Sequence, residues 1–288
     1  MTETTDNLTA APKPALYRGV KFEDYHCWAA ISHGDLKAFE VSPRDAHWQM
    51  MHPPDSSAVK LGSAVHAMME PGEFQRRFAR EPQVDGRTKE GKAMKAAFVA
   101  ENADKEILTP KLWEDAVQIE TAIWDHSLAS AILKSKGSSE LSFTWLEDGL
   151  LCKGRIDYFC QWDNWTNIVD LKTTRWAPTP RNLERTLLAE HIHSQLAWYR
   201  RGICAHDDRP RRPVVIFAQN NPPYDVVVKM IDEAAMEQGW RDCQRWLKDY
   251  QRAQATGRWP GISNSLETIS LPPWGFDRSI DWEDNDDE

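Results

Sequence analysis

GRIDYFCQWDNWTNIVDLKTT, residues 154–174, decides the fold. It reads as two strands joined by a polar turn at Asp163-Asn164. Asp157 and Asp170 stand among the apolar and β-branched residues that strands favour. Two carboxylates on neighbouring strands repel each other unless a cation lies between them. Oxygen donors of this kind suit a hard divalent ion, Mg²⁺ or Mn²⁺. Lys172 follows Asp170 by two positions, so in a strand the ammonium and the carboxylate share a face. The Leu171 carbonyl between them offers a further ligand. The tripeptide Asp-x-Lys alone fits a surface ion pair equally well. The apolar approach Ile168-Val169 sets Asp170 apart from an ordinary solvated face.

Around this hairpin the chain changes character. Strands are predicted over 139–147, 150–160 and 166–172, with Asp148-Gly149 as a hairpin turn. Two more follow over 213–219 and 224–231. Before residue 138 the signals are helical: from Ser32 through Phe39, from Ser42-Pro43 onward, then 60–70, 90–102 and 110–134. Residues 81–91 read as a loop. A helical stretch returns after Pro180, strongest over 187–205, and a long helix covers 232–255. The expected fold is therefore α/β: a central mixed sheet flanked by helices, with N-terminal helical additions. The expected organisation is a disordered tail over 1–18, one domain over 19–275 and an acidic tail over 276–288. Within the domain, 19–137 is helical and 138–255 holds the sheet core.

The 288 residues are 41% apolar and 27% charged, enough for a sizeable core. No apolar run reaches the length of a membrane span, and the N-terminal stretch has no secretory pattern. The five scattered cysteines form no C-x-x-C, which points to free thiols in a cytoplasmic setting and away from zinc or an iron–sulfur cluster. The net charge is −9, but six of the acids lie in the last eight residues, DWEDNDDE. The body is close to neutral, which leaves room for a local basic groove. No Gly-x-x-x-x-Gly-Lys phosphate loop occurs.

Several segments share an order with a known group. Asp157 followed by Asp170-Leu171-Lys172 resembles the core of the PD-(D/E)XK nuclease superfamily. Gly62–His66 (GSAVH) resembles the Gly-x-x-x-His helix motif of its RecB/RecE-like branch, and Gln195–Tyr199 (QLAWY) its Gln-x-x-x-Tyr motif. Glu140 matches the acid on the strand before the hairpin. ISHGDLKAFEVSPRDAHW and RTKEGKAMKAAF resemble the exonuclease VIII (RecE) group. The likeness spans residues 20 to 235.

It implies a restriction-endonuclease-like core and a Mg²⁺- or Mn²⁺-dependent deoxyribonuclease, with His66 joining Asp157, Asp170 and the Leu171 carbonyl as metal ligands. Lys172, Glu140, Gln195 and Tyr199 would complete the catalytic set. Gln195 and Tyr199 share one helix face and can orient Lys172 or the DNA backbone. His191 and His193 do not share a face and are read as non-ligands. Arg175, Arg181 and Arg185 are candidate phosphate contacts.

The resemblance further implies an exonuclease acting on the ends of linear duplex DNA in phage or prophage recombination and repair. It would work beside a single-strand annealing protein, as a homo-oligomer, in the cytoplasm of a bacterial or phage-infected cell, with no membrane partner. An endonuclease or helicase-associated nuclease of the same fold, or a non-catalytic DNA-binding module, are the competing readings.

Overall fold

The computed structural model describes residues 12–52, 57–69 and 72–275. Its strands are β1 (Ala15–Tyr17), β2 (Phe78–Arg80), β3 (Glu106–Leu108), β4 (Lys136–Glu147), β5 (Leu150–Trp162), β6 (Trp165–Thr174), β7 (Arg211–Gln219) and β8 (Val226–Met230). Its α-helices are α1 (Phe22–Cys27), α2 (His33–Lys37), α3 (Pro43–Met51), α4 (Ser57–Met68), α5 (Glu73–Arg77), α6 (Lys89–Glu101), α7 (Pro110–Asp125), α8 (Ser127–Leu133), α9 (Pro180–Ala189), α10 (Ile192–Cys204) and α11 (Glu233–Thr256). None is long and apolar enough to cross a membrane.

The main sheet has six strands in the order β1-β4-β5-β6-β7-β8. It is mixed. β6 and β7 run parallel, joined through α9 and α10, and every other neighbouring pair is antiparallel. One face packs on α10 and α11 through Phe143, Trp145, Ile156, Ile168 and Trp198. The other packs on α4, α7 and α8 through Val65, Ile119, Ile132, Val169 and Leu171. The expected α/β architecture is therefore present, helices covering both faces of one sheet.

Four boundaries differ from the sequence reading. Ala15–Tyr17 pair with Ser142–Thr144 as an edge strand, so the structured part begins before residue 19. Three alternating residues carry too little pattern to announce a strand that a distant partner creates. Residues 1–11 and 276–288 of the two expected tails lie outside the described residues. The predicted helix over 110–134 breaks at His126, whose extended backbone and Nδ1 cap α8 by accepting from the Ala129 N–H at 3.2 Å. The helical stretch after Pro180 is divided near His191, where φ is +56°, into α9 and α10. Phe78–Arg80 and Glu106–Leu108 add a small parallel ribbon on either side of the polar stretch.

α10 lies against the sheet because position 202 has no side chain. A Cβ on Gly202 would fall 2.5 Å from Phe143 Cε2 and 2.6 Å from Trp145 Cε3. Gly202→Ala is expected to destabilise the protein by about 1–3 kcal/mol, since overpacking outweighs the gain in helix propensity. A urea midpoint measures it; an unchanged or raised midpoint would mean that α10 shifts freely.

Candidate active site

Register brings three acids to one level. The β4–β5 ladder pairs Ser139 with Tyr158 and Leu141 with Ile156, which sets Glu140 opposite Asp157. The β5–β6 ladder ends at Tyr158–Val169, and one further step of that register sets Asp157 opposite Asp170. At this level the sheet is distorted. Glu140 has φ +48°, and no backbone pair joins it to Asp157. The Leu171 N–H donates to Asp157 Oδ2 at 2.6 Å. The alternation along β5 also slips: Ile156 packs with the α10–α11 layer, whereas Tyr158 and Cys160 belong with the α4–α7–α8 layer.

α4 brings His66 over this gap, with Nδ1 3.4 Å from Asp157 Oδ1. One donor atom from each of His66, Glu140 and Asp157 lies within 4.8 Å of the others. Among the described residues this is the group fit to hold a metal ion. The three line a small pocket whose remaining wall is mostly apolar, with Met69, Val169 and Leu171 among it. Burial works against a charged His66, but the Asp157 carboxylate beside it prevails and holds its pKa up at about 9. Burial likewise opposes ionisation of Asp157. His66, Lys172 and the Leu171 N–H outweigh that, and its pKa is lowered. Burial and then the Asp157 charge push Glu140 upward.

Asp170 stands apart from this trio, with its side chain only 1% exposed. Lys172 Nζ lies 2.7 Å from its Oδ2 as an ion pair, and among the described residues no other group satisfies either oxygen. Burial foremost raises its pKa to about 6, against the pull of Lys172. Lys172 itself remains charged: burial favours the neutral amine, but Asp170 and Asp157 raise its pKa. A carboxylate this deeply buried on one ammonium partner still carries a desolvation cost. A divalent cation would relieve that cost, and together with the His/Glu/Asp donor set it makes the residues present fit such an ion.

From the helical side, Gln195 Nε2 donates to the Tyr199 hydroxyl at 2.8 Å. Burial, with Tyr25, Asp170 and Asp157 adding to it, keeps that phenol protonated. Arg175 and Arg185 line an open groove that begins at Thr173, the residue after Lys172. Arg181 is exposed on α9 and does not line it. His191 and His193 take no part in the donor group.

Sequence reasoning missed Arg155. Its guanidinium pairs with Glu140 and also donates to the Val20 carbonyl at 2.8 Å and Ser142 Oγ at 3.1 Å. The signal was available: Arg155 precedes Asp157 by two, the same spacing that drew attention to Lys172. Tyr25, buried beneath the Arg155 and Lys153 cations, had no such signal.

Comparison with known proteins adds a family and a fold. The family model described as a PDDEXK-like domain of unknown function (DUF3799) matches residues 32–272. A crystal structure described as a "Putative exonuclease" from Eubacterium rectale superposes with a TM-score of 0.62 at 12% identity, covering 92% of this chain and 100% of that one. At that identity the likeness is one of fold. The crystal structure of SSO0001 aligns with a TM-score of 0.26 at 13% identity, over 68% of this chain and 79% of that one, and carries no argument. Among curated proteins, none matches the sequence.

Proposed function

From a chain that belongs to the PDDEXK-like family DUF3799, we propose a metal-dependent deoxyribonuclease that hydrolyses phosphodiesters from the ends of linear duplex DNA. The observation that carries this reading is the row Glu140–Asp157–Asp170 across three adjacent strands, with Lys172 on Asp170 and His66 on Asp157. A non-catalytic module would have little reason to retain a buried carboxylate whose partner is the single cation of Lys172. Action at DNA ends rests on the motif resemblance at Gly62–His66 and Gln195–Tyr199, as do the partners: further copies of this chain and a single-strand annealing protein, in phage or prophage recombination.

His66, Glu140 and Asp157, with Asp170 and the Leu171 carbonyl beside them, would hold one or two Mg²⁺ or Mn²⁺ ions. Such an ion supplies Lewis acidity and a bound water of lowered pKa. The chain does the rest. The Leu171 N–H fixes the rotamer of Asp157, and Arg155 fixes Glu140. Lys172, held charged, orients the attacking water and offsets negative charge gathering on the phosphate. The Gln195–Tyr199 pair presents a neutral phenol that can donate to a phosphate oxygen. Arg175 and Arg185 hold the backbone beyond the scissile bond.

A linear duplex labelled at either end of one strand, with a closed circular duplex as control, tests this in Mg²⁺ and in EDTA. The expected result is Mg²⁺-dependent release from linear ends with the circle intact. A cut circle would make the protein an endonuclease. No cleavage of either DNA by folded protein would leave a binding module.

A further inference from the structure

We propose that Trp176 is the stacking platform of a subsite for an unpaired nucleobase, placed at the mouth of the active site. The proposal rests on the nuclease reading above and adds the state of the strand that the groove accepts.

β6 runs through Asp170 and Lys172 and ends at Thr174, and the chain turns at once into the loop that carries Arg175 and Trp176. That loop is tied down at several points. The Asn221 side-chain amide donates to the Arg175 carbonyl at 2.8 Å, and the Trp176 N–H donates to Thr174 Oγ1 at 3.3 Å. Asn182 Nδ2 donates to the Ala177 carbonyl at 2.9 Å, and the Asn220 N–H to the Thr174 carbonyl at 2.8 Å. The backbone is therefore fixed while Trp176 remains 56% exposed. Among the described residues Trp48 and Trp165 are exposed as well, but of the three only Trp176 lines the groove beside the active site. Fixing the loop under an indole that rests on Arg175 and stays more than half exposed prepays the ordering cost of a stacking partner.

The surroundings say what that partner is. Trp176 forms part of the wall of a groove of about 640 Å³, within the range of sites that hold small organic ligands. The Arg175 guanidinium lies 4.6 Å from the ring centroid. Among the described residues no carboxylate comes within salt-bridge distance of Arg175 or Arg185, so both cations are available to phosphates. Asn182 and Asn220 add amide groups to the same wall. An aromatic plane, phosphate-seeking guanidinium groups and amides are the set that single strands use: bases stack on the ring and the backbone follows the cations. In a duplex the base faces are already stacked on their neighbours, so the groove selects a strand that has come apart at its end.

The test compares the Asp170→Asn protein, expected to hold DNA without cutting it, with the same protein also carrying Trp176→Ala or Trp176→Phe. Three fluorescein-labelled DNAs are titrated at one fixed salt concentration: an oligothymidylate, an abasic strand of equal length and a blunt duplex. Anisotropy gives the affinities, and thermal melting checks that each variant is folded. Trp176→Ala should weaken oligothymidylate binding about tenfold. It should leave the abasic strand within about twofold, and Trp176→Phe should keep most of the affinity. Equal oligothymidylate binding with and without the indole would overturn the subsite. So would an equal loss on the abasic strand, which would trace the effect to loop and phosphate contacts. In either case cleavage of linear duplex by the unmutated chain leaves the nuclease reading standing. Failure to bind any of the three DNAs would overturn both.

Discussion

Asp170→Asn is expected to abolish cleavage, by at least about a thousandfold, in a protein that still folds. The substitution keeps shape and volume and removes one charge, at the buried carboxylate that pairs with Lys172. It also carries a signature in stability that separates a charge effect from a packing effect. Asp170 titrates near 6 in the folded chain, against an ordinary value of 3.8. The folded state therefore holds this proton more tightly than the unfolded state. Between pH 4 and 6 the unfolded chain binds fewer protons, so stability falls as pH rises through that window. The shift corresponds to about 3 kcal/mol. The unmutated protein should lose about 2 kcal/mol of this relative to Asp170→Asn between pH 4 and 6, the remainder falling outside that window. Denaturant titrations of both proteins across the window measure it. Normal cleavage by the folded variant would remove Asp170 from the site, and parallel pH profiles would show that its carboxyl is not held protonated by burial.

Metal binding should be the second large effect, and it should release a proton. The imidazole of His66 is held protonated at neutral pH by Asp157, with a pKa of about 9. A ligating imidazole must be neutral, so each ion bound expels that proton. Apparent affinity for Mn²⁺ or Mg²⁺ should therefore rise about tenfold per pH unit up to about 9 and flatten above it. At a hundred times the dissociation constant the ion should stabilise the protein by about 2.7 kcal/mol. Asp157→Ala should lose both the stabilisation and the proton release. Calorimetry in two buffers of different ionisation enthalpy counts the proton, and thermal melting with and without Mn²⁺ gives the stabilisation. Undiminished stabilisation of Asp157→Ala would place the ion elsewhere.

The same two experiments separate the roles of the acids. Glu140 and Asp157 share a donor group with His66, whereas Asp170 is coupled to Lys172. A change at Asp157 is thus expected to act first on ion affinity. A change at Asp170 is expected to act first on its ion-pair partner, Lys172. Arg155 belongs with the first set, because it anchors Glu140 to the Val20 carbonyl and the rest of β4.

What the sequence determined is local. Asp157 and Asp170 lie on strands joined by a two-residue turn, so their juxtaposition follows from register alone, and Lys172 follows from the two-residue period of a strand. Gln195 and Tyr199 meet because residues four apart share a helix face. What only the tertiary structure decided is which distant groups converge on that hairpin. His66 reaches Asp157 because α4 packs over β6. Glu140 faces it because β4 distorts at a positive φ. Tyr25, from near the start of the chain, packs beneath Arg155, the residue that pairs with Glu140. The slip of alternation at Asp157, the edge strand Ala15–Tyr17 and the groove around Trp176 belong to the same class. Periodicity reports contacts within an element, whereas these features arise from contacts across tens of residues, whose energies no local pattern records.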